Sequence, residues 1–195
     1  MAGIQKNARI PDELIERCQH GDKDAIQELF KKTSKEVLRI LYRLVGPCRD
    51  MEDLVQQVYL ALLGALGRFE KRSSFSTYLF AICHKVAKKR ERSLWRRMRL
   101  HSAVVQEPRK PVDQPDENLD RLHRAEEVHR ALGRISLKHR TVLVLFVMEG
   151  LSGSEVAKKL GIPEATVWTR LHRARNDFRR SFSWEKTENK SAAQT

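Results

Sequence analysis

"LSGSEVAKKLGIPEATVWTRLHRAR", Leu151 to Arg175, decides how the C-terminal part of this chain folds. Ser152 stands where a side-chain oxygen can cap a short helix, and Val156, Ala157 and Leu160 share its inner face. Ala157 is small where a second helix must cross closely. Gly161 allows a sharp turn, Ile162 plugs the corner, and Pro163 presets the start of the next helix. Val167 and Leu171 pack that helix back, and the stripe runs on through Ala174 to Phe178. This is helix-turn-helix spacing. It leaves Thr166, Thr169, Arg170 and Arg173 outward near the start of the second helix, where side chains reach base edges in a major groove. Arginine suits guanine and phosphate, and threonine suits phosphate or a thymine methyl. A three-helix bundle with a solvated basic face is the plainer alternative. The capped first helix, the turn and the basic second helix together favour DNA.

Composition agrees with a polyanionic partner. The chain has 195 residues and a formal charge of +13, enough for one ordinary domain or two small ones. No apolar run approaches the roughly 18 residues needed to cross a bilayer, so membrane insertion is not expected. The N-terminal "MAGIQKNARIPDE" lacks the apolar core of a signal peptide, and a cytoplasmic chain is expected. Cys18, Cys48 and Cys83 lie far apart with no CxxC pair. They read as reduced thiols, neither a disulfide framework nor a zinc site.

Outward from the quoted stretch, strand signals are nearly absent and helical spacing dominates. "MEDLVQQVYLALLGALGRF" has apolar residues at 54, 55, 58, 62, 65 and 66. Residues 11–45 read as two helices broken by Gly21-Asp22, with the aspartate capping the second. Residues 128–147 and 152–180 also read as helical. "SAVVQEPRKPVDQPDENLD" carries three prolines and few apolar side chains, so it reads as an extended linker. The expectation is an all-α chain of two small helical domains, 9–100 and 122–183. A flexible linker spans 101–121, and a disordered tail follows at 184–195.

Three features of the N-terminal block bear on function. "DMEDLVQQ" places Asp50, Glu52 and Asp53 on one helix. One acidic run without a second cluster is a poor metal site, and a protein-docking face is the sharper reading. "RFEKRSSFSTYLF" interleaves Phe69, Phe75, Tyr78 and Phe80 with Arg68, Lys71, Arg72, Ser73 and Ser74. Some of these rings belong to the core. The mixture also suits single-stranded nucleic acid, with rings stacking on bases and cations following the backbone. "HKVAKKRERSLWRRMR" sets Lys85, Lys88, Lys89, Arg92, Arg96 and Arg97 along a helix with only Glu91 between, which points to phosphate.

At these residues a resemblance emerges. "EDLVQQVYLALLGALGRFEKRSSFSTYLFAICHKVA" resembles region 2 of bacterial RNA polymerase sigma factors. "LGRISLKHRTVLVLFVMEGLSGSEVAKKLGIPEATVWTRLHRAR" resembles their region 4. Two such blocks and a short linker look like the extracytoplasmic-function group of the sigma-70 family. The resemblance implies a promoter-specificity subunit without an active site, metal or cofactor. Its partners would be the clamp helices of the polymerase's largest subunit, the flap of the second-largest subunit, and promoter DNA. It also admits an anti-sigma factor, which would hold the chain inactive, in some cases at the membrane. By position, Asp53, Gln56 and Gln57 would dock on the clamp helices. The turn at 69–77, with Phe69, Arg72, Ser73, Ser74, Phe75 and Tyr78, would capture a flipped base of the −10 element. Lys85, Lys88, Lys89 and Arg92 would extend that DNA face. Thr166, Trp168, Thr169, Arg170, His172, Arg173 and Arg175 would read the −35 element. The chain departs from the family at Tyr78, where Trp is usual. It departs again at Lys85-Val86-Ala87-Lys88-Lys89, where Asn-Leu-Ala-x-Asp is usual, and at Trp168, where Lys or Arg is common.

Two other classes compete. A simple helix-turn-helix regulator explains 152–180 but not the docking helix followed by the aromatic-basic turn. An enzyme on nucleic acid would need a nucleophile with its base, or paired carboxylates on two elements. The sequence offers neither, and its seven histidines are scattered.

Overall fold

The computed structural model describes residues 10–46, 48–100, 127–128 and 130–192, with side chains described up to 96 in the long helix of the first half and up to 182 in that of the second. Among the described residues there are helices and no strand, as the periodicity implies.

Four helices form the N-terminal half: α1 (Asp12–Gln19), α2 (Lys23–Val45), α3 (Met51–Leu66) and α4 (Phe75–Leu100). Gly21, at φ 82°, makes the break after α1. Asp22 Oδ1 then accepts from the backbone of Asp24 at 2.9 Å and Ala25 at 3.1 Å, capping α2. Arg17 holds the other oxygen at 2.6 Å. Each helix turns a stripe inward: Leu29, Leu41 and Leu44 from α2, Leu54, Leu62 and Leu66 from α3, Leu79 from α4. Each such leucine contributes roughly 1.5–3 kcal/mol by leaving water.

The C-terminal half holds α5 (Leu137–Leu143), which continues as one wider π-type turn (Val144–Met148), then α6 (Gly153–Leu160) and α7 (Glu164–Ala192). Residues 128–147, expected as one helix, are interrupted at 134–136. Ser136 is extended there, at φ −54° and ψ 140°, and its carbonyl starts α5 by accepting from His139 and Arg140. The tail expected to be disordered from 184 continues the last helix to Ala192. "EKTENKSAA" holds good helix formers and neither Gly nor Pro to stop propagation. The expected linker at 101–121 lies outside the described residues.

The halves do not stand apart. α5 packs on α2, α6 packs on α4, and the buried apolar side chains of both halves form one continuous cluster.

Candidate nucleic-acid and protein-docking interface

The helix-turn-helix is built as its residues dictate. Ser152 Oγ accepts from the Glu155 backbone at 3.3 Å, and Glu155 Oε2 accepts from the Ser152 backbone at 2.8 Å, a reciprocal cap on α6. Gly161 adopts the left-handed region at φ 63°, ψ 40°. Pro163 O then accepts from Thr166 and Val167 to begin α7. Val156, Val167, Leu171 and Ala174 are buried, which rotates the remaining faces of α7 outward.

On α7, Trp168, Thr169, His172, Arg173 and Arg175 are exposed, and Thr166 and Arg170 are half-buried. Several are already engaged within the half. The Trp168 ring meets Phe146 edge-on at 5.5 Å. It also lies so close to Gly153 that a β-carbon there would sit 2.6 Å from Cζ2. Thr169 Oγ1 donates to Ala165 O at 3.0 Å. Arg175 leans over Phe146, and His172 bonds Asn176. Arg170 faces α4 across a cleft.

The aromatic-basic turn needs a correction. Phe69 and Phe75, expected at the DNA face, are buried. Their rings meet edge-on at 5.8 Å, and Phe69 lies 4.6 Å from Tyr78. An apolar ring beside a core with room for it gains more by burial than by waiting in water. Tyr78 is half-buried and donates its hydroxyl to Ala65 O at 2.7 Å. The rings therefore frame the turn from beneath, and what they lift into solvent is Arg72, Ser73 and Ser74. Ser74 Oγ accepts from the Thr77 backbone and so helps start α4.

α1 braces the same turn. Gln19 Nε2 donates to Leu66 O and Phe69 O, both at 3.0 Å. Lys71, in the left-handed region at φ 56°, pairs with Glu16 at 2.6 Å and Asp12 at 3.7 Å. Sequence reasoning missed Gln19, because a polar residue at the end of a helix carries no sign of which distant carbonyls it will meet.

Beyond the turn, Lys85, Lys88, Lys89 and Arg92 are all exposed along one side of α4, opposite buried Ile82, Cys83, Val86 and Ala87. Burial pushes the Cys83 thiol up to about 12, which leaves it unreactive.

On α3, Asp53, Gln56 and Gln57 are exposed side by side. Between them and the end of the helix stands Leu60, 71% exposed, which the sequence reading passed over. A signal for it existed: Leu60 is out of step with buried Leu54, Val58 and Leu62 and in step with Asp53, Gln56 and Gln57. Asp50 is engaged within its own half. Arg90 holds it by two hydrogen bonds of 2.8 Å. That pairing, with a smaller contribution from Cys48, draws its carboxyl down to about 2.

The site thus consists of a capped helix-turn-helix, a braced loop continuing into a basic helix, and an exposed polar stripe beside two exposed leucines, Leu60 and Leu63. The family profile "Sigma-70 region 2" matches residues 29–97, and "Sigma-70, region 4" matches residues 125–177. The chain belongs to the sigma-70 family of RNA polymerase sigma factors. Within that family it falls in the extracytoplasmic-function group. It is 29% identical to the RNA polymerase sigma-H factor of Pseudomonas aeruginosa, over 84% of this chain and 89% of the relative. It is 25% identical to the ECF RNA polymerase sigma factor SigW of Bacillus subtilis, over 85% of this chain and 93% of the relative. Among solved structures, its fold is similar to that of the sigma factor RpoE from Bartonella quintana, solved in complex with the anti-sigma factor NepR. The TM-score is 0.62 at 21% identity, covering 80% of this chain and 96% of that one.

Proposed function

We propose that this chain binds core RNA polymerase and directs it to a distinct set of promoters, reading a −35 and a −10 element and helping to open the DNA. The observation that supports this best is the exposed stripe of Asp53, Gln56, Gln57 and Leu60 beside a braced, basic loop. A simple DNA-binding regulator has no use for it. The stripe docks on the clamp helices of the largest polymerase subunit, with Leu60 as an apolar anchor among polar contacts. Arg72, Ser73 and Ser74 face the −10 base, and Lys85, Lys88, Lys89 and Arg92 follow the phosphates of the strand leading from it. Phe69, Phe75 and Tyr78 shape that loop from below. Trp168, Thr169, Arg170, His172, Arg173 and Arg175, with Thr166 at the start of the helix, face the −35 major groove.

Region 2 occupies 9–100 and region 4 occupies 122–183, joined by a linker at 101–121. Region 4 also reaches the flap of the second-largest subunit. The chain works in the cytoplasm as a binding subunit and not as an enzyme, and an anti-sigma factor is the class of partner that would restrain it. The test is run-off transcription from fragmented genomic DNA, with purified core polymerase plus or minus this protein and the 5′ ends sequenced. The expected result is a small set of starts sharing spaced −35 and −10 elements that appear only with the protein. Starts that do not depend on it would sink the reading.

A further inference from the structure

The outward face of α7 is more than a row of donors. Among the described residues of that helix, Trp168 is the one large hydrophobic side chain left exposed, at 48%. It stands close to the start of α7, where the side chains of a groove-bound helix reach base edges. The ring does not hang free. Its edge rests on α6 at Gly153, where a β-carbon would sit 2.6 Å from Cζ2 and 3.0 Å from Cε2. Gly153 is buried and helical, so what matters there is the missing side chain and not backbone freedom. Phe146 meets the same ring edge-on at 5.5 Å, and Arg175 lies over Phe146 at 5.8 Å. Phe146 is carried by the π-type turn Val144–Met148, a rare conformation that is frequent at functional sites.

The neighbours of the ring on α7 have their polar groups engaged. Thr169 commits its one hydroxyl proton to Ala165 O at 3.0 Å, which leaves an acceptor and a methyl to face a base. The His172 ring is bonded to Asn176 at 3.1 Å. Around Trp168 the helix therefore offers a groove an apolar surface. The major-groove edges of the base pairs carry one apolar group, the 5-methyl of thymine. A ring in contact with that methyl gains by covering it. Over the polar atoms of the other bases it strips away water and returns at most one hydrogen bond, from its N–H.

We propose that Trp168, seated against Gly153 and Phe146, is a specificity-determining residue that reads the 5-methyl group of one thymine in the duplex facing α7. The proposal rests on the reading of α7 as the −35 reader, and it adds the base selected and the chemistry that selects it. The seat matters because a ring already held in place loses no rotamer freedom on meeting the groove.

The test measures binding of holoenzyme to a labelled promoter duplex mapped by run-off transcription. Each thymine of its −35 element is replaced singly with deoxyuridine, which keeps every hydrogen-bonding atom and lacks only the methyl. The expected result is roughly fourfold weaker binding at one position, the value of one methyl leaving an apolar contact. Holoenzyme carrying Trp168→Ala should bind thymine and deoxyuridine alike at that position. Gly153→Ala keeps the ring but fills its seat, and should shrink the ratio. If Trp168→Ala loses helical circular dichroism, Trp168→Lys takes its place with the same expectation, since a lysine stem can cover Gly153. A −35 element in which no deoxyuridine matters overturns the methyl reading, and so does a ratio that persists without the ring. An unchanged ratio in Gly153→Ala overturns the seat. Weaker binding of Trp168→Ala to core polymerase without DNA makes the ring a protein contact and overturns the proposal. Failure of the underlying reading looks different: wild-type holoenzyme would then be indifferent to replacement of the whole −35 element, and the proposal would fall with it.

Discussion

Replacing Arg140 with Met keeps the aliphatic length and removes the guanidinium. Hydrogen bonds from a charged donor contribute roughly 1.5–3 kcal/mol each, and Arg140 makes three of them to backbone carbonyls. Against this stands the cost of keeping the group charged in the interior. Burial draws Arg140 down from 12.5 to about 10, a cost of roughly 3 kcal/mol at 1.36 kcal/mol per pH unit. The bonds win, by about 3 kcal/mol, and the variant leaves three carbonyls at helix ends short of a donor. Two of these belong to the C-terminal half itself and one to α2, so the loss has two components. Urea unfolding followed by circular dichroism separates them. Wild type is expected to unfold in one transition, because one continuous core joins the halves. Arg140→Met is expected to split it, with the C-terminal half melting first. Arg140→Lys should recover less than half the loss, since an ammonium cannot match a planar fork aimed at three diverging acceptors. A single transition with a midpoint within about 0.5 kcal/mol of wild type would refute the reasoning and show that water caps these carbonyls equally well.

Four further outcomes are expected. Asp53→Ala with Gln56→Ala should weaken core binding by about 2 kcal/mol, and Leu60→Ala alone by about 1 kcal/mol, in a titration with fluorescent core, while helical content stays the same. In holoenzyme, Arg170→Ala should lose roughly 1–3 kcal/mol on the preferred −35 sequence and less on variants of it. Lys88→Ala should instead weaken all promoters alike and lower the salt slope by about one, as a set of −35 variants across a salt series would reveal. The Asp50 carboxyl lies below its ordinary 3.8, at about 2, because of Arg90. Its contribution is therefore present above pH 3.8 and fades as pH falls toward 2. Asp50 is 42% exposed, so solvent screening holds the effect under about 1 kcal/mol. Arg90→Met should abolish that part of the acid dependence in melts between pH 2 and 5. Gly153→Ala should drive the Trp168 ring from its seat and cost about 1 kcal/mol, with a shift in tryptophan emission as the direct readout.

The sequence carried the helix-turn-helix almost completely, because a cap, a left-handed turn and an apolar stripe are local signals and all three occur within 25 residues. The α3 stripe was legible by the same periodicity, and Leu60 could have been read with it. The aromatic turn was not, since a loop has no period, and without one a phenylalanine bound for the core looks like a phenylalanine bound for a base. The contact between the halves was illegible for a different reason. Arg140 and Leu44 are 96 residues apart, and Arg43 and Glu149 are 106 apart. In a chain with 38 lysines and arginines, nothing local marks Arg140 as the arginine that is buried among the described residues.

The brace that α1 lays on the loop after α3 has a consequence for rate. A loop that must find its shape on meeting DNA loses roughly 1–2 kcal/mol of backbone entropy per residue it orders. Gln19 and the Lys71–Glu16 pair settle residues 66–71 beforehand, in a shape that includes a left-handed lysine the free chain seldom visits. On the proposed role of this loop, the disorder is lost once, when the protein folds, and not again at every promoter. The slow step in capturing a base then lies in the duplex, in unstacking that base, and α1, by bracing the loop, sets how far the protein adds to that wait.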